Sequence, residues 1–351
     1  MGTIRKQTII SSVLVYIGFL IGAFNIYLYT KQGGFSAAQF ALTRVFFAIG
    51  QNFYTLGSLA VIPVVQKFYP YYKSNLKPKE NDLLSWALAA IVVGYLLVSL
   101  AALVAKPIIV RKFSERSILV VEYYYYIIPF GFSMLLFALL EGYSWVLQKT
   151  IVPNFLKETG LRIVTLFFIV LFYVGVITYH TFIILFSTLF YIIALAMLVY
   201  LHSIGELNIT FKISKLTKKL LPKMIKMQSL IYGGIIIMTV GQTMDEIFIA
   251  GLNGLEFAGV YTLAAYAANF IQVPQRSMQS IVTGVVSQAW KDKNYAEINR
   301  VYQRSSINML LMGLFIFGII ILNVQELFLR LKVQTTYSAA FNVIIILGLV
   351  R

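Results

Sequence analysis

The chain has 351 residues, of which 59% are hydrophobic and only 12% charged, and it carries a net charge of +16. Soluble domains carry about 25% charged residues, so the composition excludes an ordinary soluble enzyme, and apolar runs without strand-like alternation exclude a transmembrane β-barrel. The basic excess is assigned to topogenic loops rather than to a nucleic-acid surface, and the absence of cysteine excludes disulfides and thiolate chemistry.

Apolar runs of about 20 residues, enough to cross a hydrocarbon core of about 30 Å, recur along the chain. They predict ten spans, at 9–30, 40–66, 83–105, 120–146, 159–178, 181–203, 227–250, 257–286, 305–323 and from 338 onward. Arg5 and Lys6 lead directly into the first span, with no cleavable signal. The tenth span is cut short at Arg351, which reads as a fragment or an early end of frame. The expected fold class is an all-α polytopic membrane protein with two parallel-repeat helical lobes around a central cavity, the second lobe truncated.

Lys and Arg set the orientation. With the N-terminus inside, inner segments hold 19 of them and outer segments 7, which predicts a cytoplasmic N-terminus. The outer loop 106–119 is an exception, with Lys106, Arg111, Lys112 and Arg116. The basic stretch 204–226 reads as a cytoplasmic linker, either a solvated loop or an amphipathic helix on the anionic leaflet. It separates a six-helix lobe, 1–203, from an incomplete lobe, 227–351, of about three and a half spans. A weak internal repeat agrees: Lys6 aligns with Lys226, Asn25 with Asp245, Gly34 with Gly254 and Ala38 with Ala258.

Ionisable and polar groups inside spans are functional hypotheses by default. In the first span, Ser11, Gly18, Gly22 and Asn25 recur at helical spacing and predict close packing, with Asn25 exposed to the cavity. Arg44, Ala48, Gln51, Thr55, Ser58 and Ile62 form one face of the second span, with Asn52 beside it. Tyr123 to Tyr126 read as an interfacial aromatic belt, and Glu141 is expected to pair with a loop lysine. His180 and His202 have no second ligand at metal spacing, so no metal or cofactor is expected. The seventh span carries Gln242, Asp245 and Glu246; a carboxylate there either binds a coupling ion or pairs with an arginine.

The eighth span is the richest. With Ala265 included, Thr262, Asn269, Gln272, Arg276, Gln279, Thr283 and Ser287 step by three or four along one face, which must meet protein or water rather than lipid. Pro274 supplies a kink or hinge in mid-span. No phosphate-binding Gly-rich loop occurs, so no ATPase is expected in the chain.

The stretch from Gly241 to Ala264 places Asp245 and Glu246 before a hydrophobic patch, a small Gly/Asn turn and the run Gly259-Val260-Tyr261-Thr262-Leu263-Ala264. This resembles the junction of the seventh and eighth helices in polysaccharide flippases of the multidrug/oligosaccharidyl-lipid/polysaccharide exporter superfamily. The resemblance implies a non-enzymatic flippase of the bacterial inner membrane that moves an undecaprenyl-diphosphate-linked oligosaccharide by alternating access. Relatives line the cavity with arginines of the first, second and eighth spans; here Arg44 and Arg276 match, and the first span has none. The expected substrate contacts are Arg44, Gln51, Thr55, Asn269, Gln272, Arg276 and Gln279. The expected ion-coupling residues, for H+ or Na+, are Asp245, Glu246 and Asn25. Membrane lipids and a polysaccharide polymerase are the expected partners. A multidrug exporter of the same superfamily and a membrane polymerase or glycosyltransferase are the competing readings.

Overall fold

Within hydrocarbon a chain must satisfy its own backbone N–H and C=O groups, and the apolar runs are accordingly helical. The computed structural model describes residues 2–147, 149–210, 212–272 and 293–350. The longer helices in chain order are α1 (Gly2–Thr30), α2 (Ala37–Gly57), α3 (Val61–Asn75), α4 (Leu83–Phe113), α5 (Ile118–Glu122) and α6 (Tyr124–Val146). They continue as α7 (Ile151–Phe155), α8 (Leu161–Tyr173), α9 (Tyr179–Ser187), α10 (Leu189–Ser203), α11 (Lys215–Leu252), α12 (Leu255–Asn269), α13 (Tyr295–Arg330) and α14 (Ala340–Val350). The β-structure among the described residues is an isolated bridge between Lys31 and Val333.

Among the described residues, five helical stretches are long and apolar enough to cross a membrane, or six if the bent pair α2–α3 counts as one span. Ten spans were expected. The apolar helices Ile17–Thr30 and Thr335–Val350 are shorter, and α8 has only 13 residues. The eighth span is described through α12 and a 3-10 turn at Phe270–Gln272; the rest of it lies outside the described residues.

The second span is not one helix. It bends by 48° between α2 and α3, where Leu59 and Ala60 take left-handed backbone angles, φ 46° and 54°. Such angles cost a non-glycine residue roughly 1–2 kcal/mol. The break exposes carbonyls, and α11 takes them: Tyr232 Oη donates to Leu56 O at 2.6 Å and Gln228 Nε2 to Leu59 O at 3.0 Å. Upstream, Ser36 starts α2 with a reciprocal cap, in which Gln39 N donates to Ser36 Oγ and Ser36 N to Gln39 Oε1.

Residues 215–226 are not a surface helix of their own. They are the first three turns of α11, a continuous 38-residue helix capped by Ser214, so the described non-helical residues before it are 204–210 and 212–214. Helix α11 runs beside α2 and α3 along a polar ladder. Its rungs are Tyr72 Oη with Thr217 Oγ1 at 2.7 Å, Thr55 Oγ1 to Thr239 Oγ1 at 3.1 Å and Asn52 Nδ2 to Thr243 Oγ1 at 2.7 Å. Groups of the N-terminal helices also hold both ends of α11. Buried Asp82 accepts from Ser214 N at 2.7 Å and from Thr217 Oγ1 at 2.8 Å. At the other end Ser117 Oγ donates to Ala250 O at 2.5 Å, and the Arg116 guanidinium donates to Leu252 O. An anion at the N-terminus and a cation at the C-terminus both suit the helix dipole.

The core lies in the N-terminal bundle. Tyr29, Phe35, Phe40, Phe46, Phe130, Phe182 and Phe186 are buried there with tilted, edge and stacked ring contacts. By contrast α13 exposes Leu310, Leu311, Leu314, Phe315 and Leu322, as a lipid-facing helix would.

Candidate functional site

Glycines on α1 open the site. A Cβ at Gly18 would lie 2.4 Å from the Glu158 carbonyl oxygen, and one at Gly22 2.9 Å from Arg162 Nε. The close approach brings the start of α8 against α1, and Asn25 Nδ2 donates to Arg162 O at 2.9 Å. Between α7 and α8 the chain makes a π turn, Leu156–Gly160. Such turns re-aim neighbouring side chains and occur frequently at functional sites. This one carries Lys157 and Glu158 into the bundle.

The result is a cavity of about 500 Å³. Its polar lining includes Asn25 and Tyr29 of α1, Thr43, Arg44, Gln51 and Tyr54 of α2, Glu141 of α6, and Lys157, Glu158, Arg162 and Thr165. Phe137, Phe186 and Phe190 form an aromatic wall, and Tyr266 of α12 reaches in from the C-terminal half. At one end, Arg44 Nη1 donates to Tyr266 Oη at 2.8 Å and Nη2 lies 3.6 Å from Glu246 Oε1. Its guanidinium also sits 5.5 Å from the centre of the Phe47 ring, within cation–π range. At the other end, Lys157 Nζ lies 3.1 Å from both oxygens of Glu141, and Arg162 Nη1 lies 2.9 Å from Glu158 Oε2.

Each of these three cations therefore has a carboxylate partner, and the site is close to electroneutral rather than simply basic. Three polar atoms that belong to cavity-lining residues are buried without a hydrogen-bond partner: Asn25 Oδ1, Tyr29 Oη and Arg44 Nε. Native structures rarely leave such atoms unpaired, and each one calls for an explanation. Each lies beneath the cavity surface, with almost no area open to it.

Of the residues singled out in the sequence, Asn25, Arg44 and Gln51 line this cavity and Glu246 stands behind Arg44. Thr55 does not: it is 3% exposed and bonded to Thr239 in the α2–α11 interface. The period that put Thr55 on one face with Arg44 and Gln51 is real, but that face turns from cavity to helix contact along its length. Asp245 accepts from Tyr261 Oη at 2.7 Å and points away from Glu246, so the two carboxylates have different partners. Asn269 and Gln272 lie at the end of α12 and in the following turn, and neither is among the residues lining this cavity. Arg276, Gln279 and Pro274 lie outside the described residues.

The sequence does not single out Tyr29, Lys157, Glu158, Arg162 or Tyr266 as site residues. The available signal was the charge pattern Lys157, Glu158, Arg162 directly at the start of an apolar run, facing small residues of the first span. The pairing expected for Glu141 is present, with Lys157. Among the described residues, no three His, Asp or Glu side chains converge as a metal site. Comparison with known proteins finds no matching family model, no matching curated protein and no matching solved structure.

Proposed function

We propose that this chain is a flippase that moves an undecaprenyl-diphosphate-linked oligosaccharide across the bacterial inner membrane by alternating access, with its N-terminus in the cytoplasm. The observation that carries the reading is the cavity, whose lining brings Arg44, Lys157 and Arg162 together among polar and aromatic side chains. A saccharide head supplies hydroxyls that both donate and accept, which suits the polar lining side chains Asn25, Gln51 and Tyr54. A diphosphate supplies anionic oxygens for Arg44, Lys157 and Arg162, and arginine presents a fork suited to phosphate. Glu246 and Asp245 remain the candidates for coupling to H+ or Na+, and a polysaccharide polymerase remains the candidate partner.

The carboxylates Glu141 and Glu158 beside an aromatic wall favour a second reading, export of cationic amphiphiles by the same superfamily. Reconstituted vesicles separate the two. Flipping of a prenyl-diphosphate saccharide that Arg44→Ala abolishes supports the flippase. Transport of a lipophilic cation, with no flipping of the saccharide lipid, supports the exporter.

A further inference from the structure

The cavity's cations are already paired, so an anionic ligand adds a charge without compensation, and one pair is arranged to relieve it. Glu141 is 6% exposed, five residues before the end of α6. Its ion-pair partner is Lys157, shared between both oxygens at 3.1 Å. The Lys157 side chain is 47% exposed and that of Glu141 8%, so ammonium donors of Lys157 remain open to a second partner. The groups that face Glu141 are Lys157 and Glu158 from the π turn and Tyr54 from α2. Arg162 is farther along the wall and holds Glu158. The other lining contributed by α6, α9 and α10 (Met134, Phe137, Ala138, Phe186 and Phe190) does not titrate. Glu158 thus has its own arginine, whereas Glu141 depends on the lysine.

We propose that Glu141 and Lys157 form a proton-exchangeable lock on the cavity: protonation of Glu141 releases Lys157 to hold an anionic oxygen of the ligand, and loss of that proton expels it. The inference rests on reading the cavity as a diphosphate site. A proton from the aqueous phase bonds to a Glu141 carboxylate oxygen, and Lys157 keeps its ammonium protons. The pair then changes from neutral to singly positive, which the ligand oxygen neutralises. A bound anion beside an ionised Glu141 would leave one buried negative charge without a partner, which is strongly unfavourable. A neutral carboxylic acid beside an ammonium–phosphate pair avoids this. By linkage, the factor by which protonation tightens the anion equals the factor by which the anion tightens the proton.

Affinity for a diphosphate therefore rises as pH falls, by up to about tenfold per pH unit for one linked proton. The test uses the purified full chain in detergent and farnesyl diphosphate as probe. Calorimetry in two buffers of different ionisation enthalpy counts the protons taken up. Wild type is expected to show the pH slope and one proton more than the probe's own titration explains. Glu141→Gln is expected to bind at the acid-limit affinity at every pH, with no extra proton. Equal slopes and proton counts in wild type and Glu141→Gln overturn the lock and leave the diphosphate reading standing. No binding of farnesyl diphosphate to wild type at any pH overturns both. Should Glu141→Gln fail to accumulate, Lys157→Met serves, because without an ammonium to exchange the extra proton must vanish. An unchanged count in that variant overturns the lock.

Discussion

Asp82→Ala should loosen the N-terminal end of α11. The Asp82 carboxylate is 3% exposed and accepts from Ser214 N at 2.7 Å and from Thr217 Oγ1 at 2.8 Å to each oxygen. Hydrogen bonds to a charged group contribute about 1.5–3 kcal/mol each. Thr217 keeps Tyr72 and Ser214 as partners after the substitution, so its loss is partial. The Ser214 N–H loses its acceptor outright, and the first turn of α11 loses an anion worth about 0.3–1 kcal/mol. The expected cost is on the order of 3 kcal/mol. Asp82→Asn retains one acceptor and should cost about 1 kcal/mol. Unfolding of the purified protein in detergent, followed by tryptophan fluorescence, gives the stability difference. Hydrogen exchange locates it, with protection lost first in residues 214–224. If Asp82→Ala stays within about 0.5 kcal/mol of wild type, the carboxylate does not anchor α11 and the ladder alone holds it.

Thr55→Val should cost about 1 kcal/mol of stability and leave transport unchanged, because Thr55 faces Thr239 rather than the cavity; a transport defect in folded protein would return it to the substrate site. Glu246→Gln should cost no more than about 1 kcal/mol, since the 3.6 Å pair is partly solvated, and it should tighten diphosphate binding in calorimetry by freeing Arg44. Gly94→Ala places a Cβ 2.4 Å from the Gly57 carbonyl oxygen, an overpacking worth about 1–3 kcal/mol, and should lower folded protein in the membrane fraction. The chain has no cysteine, so single cysteines at Lys73 and Asn253 report topology: with the N-terminus inside, an impermeant thiol reagent labels position 253 in intact cells and leaves position 73 unlabelled.

The helical, multi-span character was legible because hydrocarbon permits few alternatives, and apolar runs record it directly. The break in the second span was not. Leu59 and Ala60 carry no local signal for a left-handed turn, and the break is satisfied by Gln228 and Tyr232, far away in sequence. The start of α11 was read as a linker because its lysines resemble a loop, whereas Ser214 and buried Asp82 make a helix start of it. At the site, Arg44 stood out as a charge within an apolar run. Lys157 and Arg162 did not, because a cation at the end of a span looks topogenic until the π turn and the small residues Gly18 and Gly22 bring it inward. Thr55 shows the converse limit: periodicity identifies a polar face, and only packing decides whether that face meets a cavity or a helix.

The central claim is that the cavity between α1, α2, α6 and α8 binds the head group of a diphosphate-linked saccharide lipid. The most direct measurement is flipping of a short-chain prenyl-diphosphate disaccharide in vesicles reconstituted with the full chain, compared among wild type, Tyr29→Phe and Arg44→Ala. The account predicts flipping by wild type, a reduced rate for Tyr29→Phe, which loses one hydroxyl, and none for folded, normally inserted Arg44→Ala. Wild-type rates in both variants would contradict it and leave the cavity as a packing feature of the bundle.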